Sequence, residues 1–148
     1  MRDVKNVKIK IHSYIENLDS AGLRDGEPEV NDSEHTALLT LMGDELYISY
    51  EENSEGGKIA SDIHIMAENK ITVCRRGAIE SVLLFADGEV FNTLYTIPPY
   101  KFDMQVKTLR IRNSLSVDGG SLDILYSMTV GGASKKCRMK ISVSEVMQ

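Results

Sequence analysis

Apolar and polar residues alternate along most of the chain, a period of 2 that marks half-buried β-strands. Val7, Ile9, Ile11 and Ile15 alternate with Lys8, Lys10, His12 and Tyr14. Similar runs cover 35–42 and 45–51, broken by Gly43-Asp44, then 58–66 and 70–76, broken by Glu68-Asn69. Ile79–Phe85 and Val90–Tyr95 flank Ala86-Asp87-Gly88-Glu89, where Asp-Gly supplies the positive φ angles that a tight hairpin turn needs. Phe102, Met104, Val106 and Thr108 then set an even parity, whereas Leu109, Ile111, Leu115 and Val117 are odd. A one-residue shift turns every side chain to the opposite face, so this switch predicts a β-bulge or break near Lys107–Arg110. Gly119-Gly120 turns into the even apolar positions Leu122, Ile124, Tyr126, Met128 and Val130. Gly131-Gly132 turns into a last strand with Cys137, Met139, Ile141 and Val143 on one face.

The pattern predicts an all-β chain of roughly ten strands on short turns, with no helix. Pro98-Pro99 excludes a regular helix or central strand at that point. Consecutive strands in a small domain suggest an antiparallel meander, and closure into a barrel of about 8–10 strands would remove the exposed edges. An open sandwich is the competing architecture, which periodicity does not separate from the barrel. One connection stands apart: Asp19–Glu34 is long, acidic and rich in Gly, Asp and Ser, and would serve as a lid over a barrel mouth.

The length of 148 residues fits one domain spanning 1–148, and 42% apolar with 26% charged residues is ordinary for a globular core. No stretch reaches the roughly 20 uncharged apolar residues of a membrane-spanning helix. The first ten residues carry Arg2, Asp3, Lys5, Lys8 and Lys10 without the apolar run of a secretion signal. Cys74 and Cys137 both sit inside apolar strand patterns, which reads as two buried thiols of a cytoplasmic protein.

Spacing between residues 75 and 126 is distinctive. Arg75-x-Gly77, Ser81, Leu83, Phe85, Gly88, Tyr95, Thr108 and Gly120-x-Leu122-x-Ile124-x-Tyr126, with Tyr50-x-Glu52 upstream, resemble the pattern of the YwiB-like proteins. The resemblance implies a small bacterial protein with a lipocalin-like (calycin-like) β-barrel, a cytoplasmic setting and a domain of unknown function. It implies no activity, substrate or cofactor. Ile97-Pro98-Pro99-Tyr100 departs from the Thr-Pro-x-Gly usual at that place in the family.

Motifs for chemistry are sparse. His12, His35 and His64 are scattered and no CxxC or HxxxH occurs, so no metal site and no cofactor are expected. There is no GxSxG elbow, neither cysteine has a local histidine, and Gly56-Gly57-Lys58 lacks the other half of a phosphate loop, so no catalytic residue is assigned. Glu52 shares strand parity with Ile48 and Tyr50, and Arg75 with Ile71 and Val73. If both faces point into the lumen, Glu52 and Arg75 meet there beside Tyr95 and Tyr126. A charge in an apolar face must be paired or must bind something. The bland reading is an ion pair that fixes register. The sharper one is a ligand site of Arg75, Tyr95, Tyr126, Tyr50 and Glu52, with the guanidinium recognising an anion.

Charge is uneven: residues 1–55 carry −8, 56–100 carry −1 and 101–148 carry +4. Lys8, Lys10 and His12 face outward on the first strand, as do Lys136, Arg138 and Lys140 on the last. Closing the meander makes these strands neighbours and aligns a basic seam, which like-charge repulsion should stagger or cover. It is either a solvated face tamed by the acidic 19–34 segment or a surface for an anion, RNA or protein. A pI near 5.2, no Trp and 6% aromatic residues weigh against nucleic acid. The expected function is non-enzymatic binding of a small molecule, anionic or amphipathic. An interaction module using the outer surface, including a homodimer, and an enzyme of unrecognised class are the alternatives.

Overall fold

The structure, a computed structural model, describes residues 2–66 and 69–145; of the break expected at Glu68-Asn69, Glu68 lies outside them. Ten strands run in chain order, each antiparallel to the next. They are β1 (Arg2–Leu18), β2 (Glu29–Met42), β3 (Glu45–Ser54), β4 (Gly57–Met66), β5 (Lys70–Gly77), β6 (Glu80–Phe85), β7 (Val90–Ile97), β8 (Tyr100–Asn113), β9 (Gly120–Val130) and β10 (Ala133–Glu145). β10 pairs back onto β1 from Val7↔Glu145 to Leu18↔Ser134, so the meander closes into a barrel and the sandwich is not formed.

The alternation seen in the sequence decides what faces inward. Ile9, Leu39, Ile48, Ile63, Ile71, Phe85, Val106, Leu122, Ile124 and Ile141 are almost wholly shielded and fill the middle and lower lumen. The β1–β2, β3–β4, β5–β6, β7–β8 and β9–β10 connections all lie at the other end, here called the mouth.

The parity switch in β8 is a bulge, with the register slipping between Thr108 and Arg110. Leu109 is the extra residue, turned to solvent, and Ile111 restores inward packing. The turn after β6 docks on this bulge. Gly88 N–H donates to the Thr108 carbonyl at 3.0 Å, Ala86 N–H to Thr108 Oγ1 at 3.2 Å, and Ile111 N–H to Asp87 Oδ1 at 2.9 Å. β8 ends at Asn113, so Leu115 and Val117 pack on the core from a loop and do not extend the strand.

Three expectations need correction. Within Ala86–Glu89 only Gly88 has a positive φ (73°), and β6 and β7 share just Glu80↔Thr96 and Ser81↔Tyr95, so the expected tight hairpin opens into a parted wall. The segment 19–34 is not one loop, because Glu29–Glu34 extend β2 along β1 as far as Glu29↔Ile15. What remains is pinned by the Asp19 carboxylate, which accepts from Ala21 N–H at 2.9 Å and Leu23 N–H at 3.0 Å, and by the Leu18↔Arg24 bridge. Cys74 is half-buried on the outer face opposite Asp62 and Val82; only Cys137 is a buried thiol.

Candidate functional site

Directly paired residues on six consecutive strands form one inward rung near the mouth: Tyr50, Ser61, Arg75, Ser81, Tyr95 and Phe102. One step deeper on the same strands stand Ile48, Ile63, Val73, Leu83, Thr93 and Met104. β3, β4, β5 and β6 thus keep their face and change from aliphatic to polar or phenolic chemistry over two residues. Ser61 and Ser81 are small enough to leave room around the Arg75 side chain between them, and both are buried. Gly77 follows Arg75 at φ 120°, where a Cβ would strike the Lys58 carbonyl oxygen, so only glycine lets β5 and β4 approach at the rim.

Glu52 and Arg75 meet as expected, with Arg75 Nη2 donating to Glu52 Oε1 at 3.2 Å. Their side chains remain 24% and 35% exposed. The opening has a structural cause. The β2–β3 ladder stops at Leu38↔Ser49, so the wall parts beside Tyr50 and Glu52. His35 reaches across and stacks on Tyr50 with ring centroids 4.6 Å apart.

Among the described residues Arg75 makes this one ion-pair hydrogen bond, with the Tyr50 phenol also within its reach. Ser61 Oγ, fully shielded, completes no hydrogen bond at all, although it lies close to the Tyr50 phenol. Burial raises the pKa of Tyr50, an effect that Ser61 and Arg75 partly offset. Tyr126 on β9 is raised further, again chiefly by burial, and its ring tilts on Phe85 at 4.9 Å. Burial also pushes the Cys137 thiol beside it up to about 11. Of the five residues singled out from the sequence, Tyr50, Glu52 and Arg75 form one group, Tyr95 lies two strands on, and Tyr126 lies across the lumen with its ring on Phe85. Ser61, Ser81 and His35 were missed. Their signal was small or polar residues on an apolar parity, as with Ser61 between Ile59 and Ile63.

The first and last strands are neighbours, as expected, and their basic residues are staggered. Lys8 and Lys10 oppose Ser144 and Ser142 on β10, while His12 opposes Lys140. Neighbouring strands supply carboxylates: Lys8–Glu34 at 2.7 Å, His12–Asp32 at 2.6 Å and Arg138–Asp123 at 2.6 Å. The Arg138 hydrogen bonds hold the Asp123 carboxyl below its ordinary range. Among the described residues Lys10, Lys136 and Lys140 have no ion-pair partner. A groove of about 500 Å³ crosses this outer face over Tyr14, Leu125, Lys136, Arg138 and Lys140. No group of three His, Cys, Asp or Glu among the described residues is placed to hold a metal ion.

The closed meander with a packed lumen and a polar rim defines an antiparallel β-barrel protein. The chain belongs to the DUF1934 family, a domain of unknown function whose pattern matches residues 17–141. A curated relative, the uncharacterized β-barrel protein YwiB of Bacillus subtilis (strain 168), is 24% identical over 131 residues, covering 88% of this chain and 87% of its own. The crystal structure of the ywiB protein from Bacillus subtilis superposes with a TM-score of 0.84 at 22% identity, over 97% of this chain and 94% of that one. That likeness extends to the fold.

Proposed function

We propose that the protein is a non-enzymatic module that binds a small molecule in the barrel mouth. Arg75 is the anion-recognising group, with Tyr50, Glu52, Tyr95 and Tyr126 around it. One observation carries this reading: the Ser61 hydroxyl is 1% exposed and unpaired beside a guanidinium that makes a single hydrogen bond. Leaving a buried hydroxyl unpaired costs about 1–3 kcal/mol. An ion pair that only fixed register would need no such orphan. A ligand acceptor between Ser61 and Arg75 would satisfy both. The raised pKa of Cys137, about 11, keeps it a thiol and supports binding over nucleophilic chemistry.

A cytoplasmic setting goes with this reading. Apolar residues fill the lumen and Lys8, Lys10, Lys136, Arg138 and Lys140 point outward, the reverse of a membrane barrel with its apolar outer band. Native mass spectrometry tests the function. The expected result is an added small mass that is released on denaturation and absent from Arg75→Gln. A bare chain mass from freshly purified wild type overturns it.

A second reading, association of two copies through the outer wall, is favoured by the parted β6–β7 wall. Val82 and Leu94 stand exposed on either side of it, and unpaired strand edges invite pairing. Analytical ultracentrifugation would then show a dimer that Leu94→Lys converts to monomer. A wild-type monomer removes this reading.

A further inference from the structure

The inward face of the β7–β8 hairpin continues past the rung. Tyr95 pairs with Phe102 and Ile97 with Tyr100, and all four share the parity of Met104 and Val106. Those two deeper residues are 4% and 0% exposed, whereas Phe102, Ile97 and Tyr100 are 40%, 42% and 65% exposed. β6 pairs with this hairpin no farther than Thr96, so its tip stands above the rim with an apolar inner face and nothing packed on it. Large contiguous apolar side chains left in water mark a binding surface more often than an accident of folding. This one adjoins the polar rung, because Phe102 is the last member of the series that contains Arg75.

We propose that the ligand is amphipathic, with an anionic head held by Arg75 and Ser61 and an apolar body lying along Tyr95 and Phe102 toward Ile97 and Tyr100. This rests on the small-molecule reading above and specifies its chemistry. The head follows from the groups that converge. The guanidinium N–H groups beyond the Glu52 bond, the Ser61 O–H and the Tyr50 phenol can each donate, so together they suit a group rich in acceptors. Glu52 already pairs with Arg75, so the head must take the donors that this carboxylate leaves, on the side away from its charge. The body follows from the span. Three inter-strand steps of about 4.8 Å separate Arg75 on β5 from Phe102 on β8, roughly 14 Å around the wall. Ile97 and Tyr100 add one rung of about 7 Å beyond it. The two offsets lie at right angles and leave about 16 Å between the ends, the reach of a straight chain of about twelve carbons. The Pro98-Pro99 tip thereby becomes part of the specificity surface.

The probes are 1-anilinonaphthalene-8-sulfonate, followed by fluorescence, and three competitors: dodecanoate with head and body, acetate with head alone, and dodecanol with body alone. Wild type should bind the dye, and dodecanoate should displace it at least tenfold more strongly than acetate or dodecanol. Tyr100→Ser/Phe102→Ser, whose sites are solvent-exposed and whose folding is checked by circular dichroism, should weaken dodecanoate about tenfold and leave acetate unchanged. Arg75→Gln should weaken dodecanoate to the level of dodecanol. If acetate competes as well as dodecanoate, or the double variant binds dodecanoate normally, the apolar half is refuted and the polar site stands. If neither the dye nor any competitor binds wild type, both readings fall.

Discussion

Two adjacent rungs of the same barrel wall share a face and differ in chemistry. Ile48, Ile63, Val73, Leu83, Thr93 and Met104 form the deeper one; Tyr50, Ser61, Arg75, Ser81, Tyr95 and Phe102 form the upper. Both point inward on the same six strands. Five members of the deeper rung pack in the core that holds the fold, while the upper carries a guanidinium and two serine hydroxyls beside Tyr50 and Tyr95, whose rings still pack on that core. The contrast shows that strand alternation assigns a side chain to a face, and that its identity then decides between core and site. The boundary is sharp because the wall begins to part just above the deeper rung, where the β2–β3 ladder ends at Leu38↔Ser49.

If the deeper lumen carries the stability, the largest loss follows from emptying it. Phe85 is fully shielded and central, in contact with the Tyr126 ring. Phe85→Ala should destabilise by about 3–5 kcal/mol, since it removes transfer free energy and leaves a cavity. A urea titration reads this directly. Phe102→Ser, at the rim, should shift the midpoint little. Equal losses at the two sites would erase the distinction between the regions.

An alkaline titration sharpens the comparison at the point where the regions touch. Cys137 is buried among the mouth residues, and its thiol pKa rises from about 9 to about 11, mainly through burial. The unfolded chain therefore ionises first. The stability that the neutral thiol contributes is complete below pH 9 and is lost as pH climbs toward 11. At roughly 1.4 kcal/mol per pKa unit this amounts to about 2–3 kcal/mol. Urea midpoints at pH 8 and pH 10.5 should differ in wild type and less in Cys137→Ala, where only the raised Tyr50 and Tyr126 phenols remain. A wild-type midpoint that is flat across this range would mean the mouth is wetter than its packing indicates.

Ser61 gives a smaller effect of opposite sign. An unpaired buried hydroxyl is a cost in the empty protein, so Ser61→Ala should stabilise by about 1 kcal/mol while weakening ligand retention in the native mass spectrum. Core positions gain nothing from such a change. Destabilisation on removing the hydroxyl would show that it has a partner within the fold and would take away the main support for a binding site.

Much of this architecture is legible in the sequence because period 2 is a local signal. Ten strands, the turns at Gly43-Asp44 and Gly131-Gly132, and the Thr108–Arg110 bulge can each be read from parity alone. The Arg75–Glu52 meeting was also foreseeable, since both sit on apolar parities and a charge there needs a partner. Pairing between strands is less visible. Glu29–Glu34 has no apolar alternation, because its residues are exposed on both faces, yet β1 extends it as strand by hydrogen bonding alone. The short β6–β7 ladder arises because the turn after β6 bonds to the bulge in β8, a contact distant in sequence. Ser61 escaped notice for another reason: a serine among isoleucines looks like tolerance until its missing partner is seen.

The smallest effect belongs to the outer seam. Lys8 and Glu34 sit 2.7 Å apart with both side chains nearly half in water, and the pairing lowers the Glu34 pKa through the Lys8 hydrogen bond. Exposed pairs of this kind are screened by salt and give back much of their attraction as lost side-chain freedom. Lys8→Gln should leave the urea midpoint unchanged at physiological ionic strength. The seam is instead closed by the continuous backbone ladder from Val7↔Glu145 to Leu18↔Ser134 and by Ile9, Ile11, Ile141 and Val143 packed beneath it. A marked fall in the midpoint with Lys8→Gln, or with added salt, would place the stabilising weight on the charged exterior and invert the relation between lumen and surface drawn here. An unchanged midpoint leaves the Lys8–Glu34 pair without a stabilising role and the closure to the ladder and the packed lumen.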